Sequence, residues 1–326
     1  MTKKLAILST LVLTLALAPL ALAQTPPAQQ GTITGSGIQI QNLTADTAAN
    51  VELQYYPGNG AAAVPQQVTV PGGESLTLLS FDDASAATPD YAVGEGFEGS
   101  VVITSDQPVA AITNLIGSNS AGTPFAITEG YPGIVEGAQT LNAPLIVRNN
   151  PVGANNASTT ISVQNASDSA VNGTITYTPG ADAEGNLIGN TGVTDSFSLG
   201  PGESTVFAQF AKNDLGDRFV GSATISADGN VAATVQQEGN DQLNSYAAFA
   251  SASGTASVPL VIANNNVPRA FTGIQIQNAG TAETTVTVNF SDNSISQAQP
   301  EVGLEPCGTN GVMESRQLTI AAGASS

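Results

Sequence analysis

The sequence has no histidine, no tryptophan and one cysteine, and carries only 7 lysines and arginines in 326 residues. Without histidine there is no Ser-His-Asp or Cys-His arrangement, no His-ligated zinc and no imidazole base. One cysteine excludes a four-cysteine zinc site, an iron–sulfur cluster held by this chain alone and any intramolecular disulfide. Charged residues are 10% of the chain, against about 25% in an average soluble protein. The polar surface therefore has to come from Ser, Thr, Asn, Gln and Gly.

Long apolar runs are also scarce. The first 23 residues join Lys3 and Lys4 to an apolar stretch from Leu5 to Leu17 and an Ala21-Leu22-Ala23 site before Gln24. This is the tripartite pattern of a cleaved secretory signal, interrupted by Pro19 and too short for the ~20 residues of a membrane span. The expected localisation is secreted, extracellular or at the cell surface, with no membrane span in the mature chain. Cleavage after Ala23 leaves 5 basic and 26 acidic side chains, a net charge of −21. That balance excludes nucleic acid as a partner, since binding it needs clustered Lys and Arg to displace counterions.

What the sequence has is repetition. Gly37-Ile-Gln-Ile-Gln-Asn42 recurs as Gly273-Ile-Gln-Ile-Gln-Asn278, with Ile161-Ser-Val-Gln-Asn165 as a looser middle copy. Ala143-Pro-Leu-Ile-Val-Arg-Asn-Asn150 matches Val258-Pro-Leu-Val-Ile-Ala-Asn-Asn265. Gly99-Ser100, Ile103 and Val109-Ala-Ala111 match Gly221-Ser222, Ile225 and Val231-Ala-Ala233 at one constant spacing, and Gly73-Glu-Ser75 matches Gly202-Glu-Ser204, echoed by Gly323-Ala-Ser325. The expected organisation is a signal peptide over residues 1–23, then repeats over 24–138, 139–256 and 257–326. The third copy stops after its Gly-Ala-Ser element and lacks the last two strands of the pattern. Either the sequence belongs to a longer reading frame, the preferred reading, or another chain donates the strand.

Period-2 alternation in the second copy predicts seven strands: Pro144 to Arg148, Ser158 to Gln164, Gly173 to Thr178, Asp195 to Leu199, Glu203 to Phe210, Phe219 to Ser226 and Val231 to Gln236. Gly200-Pro-Gly202 predicts a tight reversal, and Asp228-Gly229-Asn230 a hairpin using positive φ. No mature segment has a capped 3.6-residue period. The expected fold class is all-β, as tandem immunoglobulin-like β-sandwich modules of about seven antiparallel strands. Thr25 to Ser36, Gly117 to Thr123 and Ser251 to Ala256 read as a tail and two linkers.

The strand ending in Gln-Asn, its small-residue turn and the Pro-Gly-Glu-Ser turn resemble the bacterial cell-adhesion-related (CARDB) and fibronectin-like modules. The Pro-Leu-Ile-x-x-Asn-Asn and Thr-Gly-Ile-Gln-Ile-Gln-Asn pieces resemble a repeat of secreted and surface proteins of environmental bacteria. The resemblance spans nearly the whole mature chain and rests on turn and core positions. It implies surface display or adhesion and identifies no binding residue.

Candidate sites are few. Cys307 is a lone exported thiol, suited to pairing with a cysteine further along the longer reading frame. Asp82-Asp83, Asp182 with Glu184, and the Asn213 to Asp217 loop are acidic, but none has calcium-loop spacing, and they read as solvated turns. The sequons at Asn42, Asn156, Asn165, Asn172 and Asn289 read as composition. Lys212, the only mature lysine, sits in a turn-like stretch unsuited to a buried Lys-Asn cross-link. No catalytic, cofactor-binding or metal-ligating residue is assigned, and a two-carboxylate glycosidase lacks the aromatic platforms it would need. The expected function is a non-enzymatic surface or extracellular structural or adhesive protein whose partners are surface polysaccharide or other surface proteins. The alternative is a set of accessory polysaccharide-binding modules of a longer secreted enzyme.

Overall fold

A computed structural model describes residues 32–58, 60–80, 91–93, 96–119, 121–123, 127–152, 155–182, 184–239, 242–261, 272–290 and 315–326. The expected signal peptide, Asp82-Asp83 and Cys307 lie outside them. The described residues are all-β, with antiparallel sheets and two short 3-10 turns.

The first part holds β1 (Thr32–Asn42), β2 (Ala49–Pro57), β3 (Val64–Val70), β4 (Ser75–Leu79), β5 (Gly99–Ser105), β6 (Val109–Ser118) and β7 (Ile127–Pro132). They form two sheets, ordered β4-β1-β6-β7 and β3-β2-β5. Alternation along β2 sends Ala49, Val51, Leu53 and Tyr55 inward, where they meet Ile38 and Ile40 of β1 and Leu78 of β4. Two layers closing on one apolar cluster is a β-sandwich arrangement. β1 and β6 also reach further than expected. Ile33, Gly35 and Ser36 pair with Gly117, Ile116 and Leu115, so part of the expected tail and linker is ladder: polar composition does not stop a segment whose backbone finds a partner.

The second part holds β8 (Ala138–Arg148), β9 (Asn150–Val152), β10 (Asn155–Asn165), β11 (Val171–Pro179), β12 (Val193–Leu199), β13 (Ser204–Ala208), β14 (Phe219–Gly239) and β15 (Gln242–Ala247). The expected strand to Phe210 ends at Ala208, where a 3-10 turn, Gln209–Ala211, buries Gln209. The expected hairpin at Asp228-Gly229-Asn230 is not formed. β14 runs through these residues as one strand of 21 residues. Its first half pairs with β11 and β8, its second half with β10 and β15. One strand thus crosses from one row of strands to the other. Gly229 is needed for closeness: a Cβ there would lie 2.6 Å from Val171 Cγ2. Asp228 is spent on Asn172, its carboxylate accepting the backbone N–H at 2.7 Å and the side-chain amide at 3.1 Å. Asp106 clamps Asn50 in the same way, at 2.8 and 2.7 Å, where β5 crosses over to β6.

The third part holds β16 (Thr284–Val288) paired with β17 (Arg316–Ile320), and Gln277 bridged to Ser325.

The Gln-Asn repeat has a physical cause. Asn42, Asn165 and Asn278 are buried, and each plugs the corner between two strands. Asn165 Nδ2 donates to the carbonyls of Ser169, Leu199 and Gly200, and its Oδ1 accepts the Ser167 N–H. Asn42 does the same with Thr47, Val70, Pro71 and Thr44, and Asn278 with Ala282, Ile320 and Gly280. Facing each plug is a turn with a left-handed glycine, Gly73, Gly202 or Gly323, at φ 71°, 73° and 72°. In each turn the N–H three residues on, at Glu74, Glu203 or Ala324, donates to the first carbonyl at 3.1 Å, the geometry of a type II turn with glycine third.

Candidate functional site

The glycine turn is also where successive repeats meet. Ser100 Oγ, at the start of β5, donates to the Gly202 carbonyl at 2.9 Å. Ser222 Oγ, its counterpart in β14, donates to the Gly323 carbonyl at 2.7 Å. The same donor in one repeat holds the same turn of the next. Gly202 is buried and so are Ala324 and Ser325, whereas Gly73, Glu74 and Ser75 of the first turn are exposed.

Each joint has further contacts. At the first, the Tyr56 ring lies over Gly202 so closely that a Cβ there would be 2.2 Å from the ring. Gln164 Nε2 also donates to the Gly202 carbonyl, at 3.1 Å. To one side Leu115 and Leu243 are buried together with Ile33 and Tyr131 packed on them, and Ser245 Oγ donates to Glu129 Oε1 at 3.3 Å. At the second joint, Gln277 Nε2 reaches the Ala223 carbonyl at 3.3 Å and Thr224 Oγ1 at 3.4 Å.

Beside the first joint lies a cleft of about 290 Å³, with Pro57 and Gly58 on one wall and Ser196, Ser198, Thr205 and Phe207 on the other. Its lining combines the hydroxyls of Ser196, Ser198, Ser204 and Thr205 with the apolar side chains of Phe197, Leu199 and Phe207. Glu203 also borders it, but its Oε2 accepts the Gly200 N–H at 2.8 Å.

The structure places the sequence candidates as follows. In the Asn213 to Asp217 loop, the buried guanidinium of Arg148 donates to the carbonyls of Gly216 and Asp217 and, at 2.6 Å, to Asn213 Oδ1. A fixed cation from the chain itself thus holds two backbone carbonyls and one amide oxygen of this loop. The Asp182 carboxylate accepts the N–H groups of Glu184 and Asn186, which hold it below the usual carboxylate range. Among the described residues no three His, Cys, Asp or Glu side chains converge on a metal position.

Lys212 Nζ lies 2.7 Å from Asp195 Oδ1 and 3.1 Å from Asp214 Oδ2. Burial works to lower its pKa, but the hydrogen bonds and charge of Asp195 and Asp214 outweigh burial and raise it. The amine stays an ammonium and has no free pair with which to attack an amide. Asp195 also accepts from Tyr177 Oη at 2.8 Å, and Gln209 links Tyr177 to Thr159. Burial, with Asp195 as acceptor, keeps the Tyr177 phenol protonated far above its ordinary range.

Sequence reasoning missed Ser100, Ser222 and Tyr56 as joint residues, although the constant spacing of the Gly-Ser and Gly-Glu-Ser elements carried the signal. It read both elements as local strand and turn markers. The chain matches no protein-family profile, no curated protein and no solved structure.

Proposed function

We propose that this is an exported, non-enzymatic structural or adhesive protein. A signal over residues 1–23 precedes immunoglobulin-like repeats over 24–138, 139–256 and 257–326, joined end to end into a stiff rod that displays its surface away from the cell. The likeness to an immunoglobulin domain is loose, because its last two strands share one sheet whereas here the chain crosses between sheets. The observation that supports the rod is the repeated joint, Ser100 to Gly202 and Ser222 to Gly323. A repeated contact repeats one rotation and one rise, and a solenoid-like stack follows. Freely linked modules would have no reason to share such a contact.

Small-angle scattering of the secreted chain tests this. A single extended particle is expected, and a distribution matching freely jointed beads would remove the rod. Recovery of the protein lacking residues 1–23 from culture medium, or its retention inside the cell, decides export.

The cleft of hydroxyl groups at the first joint favours a second reading, accessory binding of polysaccharide. A glycan array with no retained ligand would end that alternative and leave the rod untouched.

A further inference from the structure

The cleft beside the first joint belongs to neither repeat alone. Pro57, Gly58 and Gly60, at the end of β2 and in the turn after it, give one wall, and β12 and β13 of the second repeat give the other. β12 and β13 stand at the ends of their sheet order, as β3 and β4 stand at the ends of theirs. The open flank is thus a property of the module, and at this joint the neighbouring repeat turns it into a cleft.

Its floor is apolar and its rim is hydroxylated. The Phe207 ring packs on Phe197 with 6.3 Å between centroids, and Pro57 faces them from the other wall. Ser196, Ser198, Ser204 and Thr205 supply hydroxyls, and edge strands add main-chain N–H and C=O groups. Among the described lining residues there is no Lys or Arg, and the one carboxylate, Glu203, already accepts the Gly200 N–H at 2.8 Å. This is the complement of a neutral pyranose, whose ring has apolar C–H faces and a rim of hydroxyls. A phosphate or an acidic sugar would call for a cation, and a calcium ion for converging carboxylates. At about 290 Å³ the cleft falls just under the roughly 300–1,000 Å³ of sites that enclose a drug-sized ligand. It suits one ring of a polymer whose remainder stays in water.

We propose that a neutral polysaccharide seats one ring between the two repeats and, by touching both, locks the first joint. The proposal rests on the polysaccharide reading of this cleft and adds regulation to it: the ligand sets how stiff the rod is. Both walls are in place only while Ser100 holds the Gly202 carbonyl and Tyr56 covers Gly202. The docked arrangement offers the whole site, and the undocked one retains a single wall. A ligand shifts such an equilibrium by its differential affinity for the two states, and the coupling is reciprocal. With free ligand at about 100 times its Kd, and no binding to the undocked form, the docked-to-undocked ratio rises about 100-fold.

The test titrates the full chain by calorimetry with cellohexaose, maltohexaose, laminarihexaose and mannohexaose, and with free glucose and mannose. At least one hexaose is expected to bind, and more tightly than its monosaccharide. Tyr56→Ala/Ser100→Ala removes two joint contacts and no lining residue. Its apparent affinity should fall with the docked fraction, about tenfold if one molecule in ten stays docked, and saturating hexaose should return its broadened small-angle scattering to the parental curve. Gly202→Ala opens the same joint from the other side and gives the same comparison with Tyr56 and Ser100 intact. Ser198→Gln fills the cleft from an exposed strand position, so binding should be lost while circular dichroism is unchanged. A hexaose that binds the parent and both joint variants equally overturns the lock and leaves the polysaccharide reading standing. So does binding that survives Ser198→Gln, which puts the sugar elsewhere, or a free monosaccharide that binds as tightly as the hexaose. No binding by any of these sugars ends both.

Discussion

The ring of Tyr56 covers Gly202 so closely that no side chain fits between them. Gly202 also holds φ at 73°, so this one glycine is required twice, once by its own turn and once by the neighbouring repeat. Gly73 holds the same turn conformation at φ 71°, with its nearest would-be Cβ contact at a comfortable 3.8 Å.

The pair makes a controlled comparison. Gly73→Ala should cost only the left-handed strain, about 1–2 kcal/mol. Gly202→Ala should cost more and should loosen the joint, broadening the particle seen by small-angle scattering. Equal losses in calorimetry, with unchanged scattering from both variants, would mean that the joint contributes nothing.

Asn165→Ala should destabilise the second repeat by about 1–3 kcal/mol, because buried carbonyls of Leu199 and Gly200 lose their donor. Asn165→Asp should be no better, since a carboxylate cannot donate to them. Asn156 is exposed, and its alanine variant should stay within about 0.5 kcal/mol of the parent. Urea midpoints read the difference, and similar midpoints for Asn165→Ala and Asn156→Ala would refute the plug.

Asp106 and Asp228 lie below the ordinary 3.8 because each accepts the backbone and side-chain N–H groups of an asparagine. A carboxylate depressed in the folded state contributes stability that is present above its unfolded pKa and lost as pH falls through the folded one. Unfolding temperature should therefore drop on acidification below about 4, with a smaller drop in Asp228→Asn. Glu238 works the other way, since burial raises it; Glu238→Gln should stabilise slightly at neutral pH. Carboxyl shifts followed by NMR give the individual midpoints, and a midpoint at or above 3.8 for Asp228 would contradict the clamp.

Lys212→Met leaves Asp195 with only Tyr177 among its side-chain partners. A loss of about 1.5–3 kcal/mol is expected, the worth of a hydrogen bond to a charged group. Lys212→Met/Asp195→Leu should recover part of it, because no charge is then stranded. Purely additive losses in the double-mutant cycle would show that the pair does not interact. The intact mass of the exported protein should match residues 24–326 with no ammonia or water missing.

The motifs that recur in the sequence turned out to be the plugs and turns of the strand ladder. Asn42, Asn165 and Asn278 could be matched by eye, and so could the glycines facing them, because each acts through carbonyls and amides of its own repeat. The hairpin expected at Asp228-Gly229-Asn230 shows the limit of that reading. An Asp-Gly pair announces a tight turn when only local φ preferences are weighed, but here a neighbouring valine demands the missing Cβ and an asparagine takes the carboxylate. Spacing alone cannot separate a glycine chosen for φ from one chosen for closeness.

Composition and alternation by themselves determined an all-β chain without histidine chemistry, since strand period and the absence of a residue type are local facts. Only the tertiary structure decided that β14 serves both rows of strands, that Arg148 donates to the carbonyls of Gly216 and Asp217 and to Asn213 in the acidic loop, and that Ser100 and Ser222 reach the next repeat's glycine. These depend on groups about 70 to 100 residues apart, brought together when the sheets close on their core, and no period in the sequence records which partner a side chain meets there.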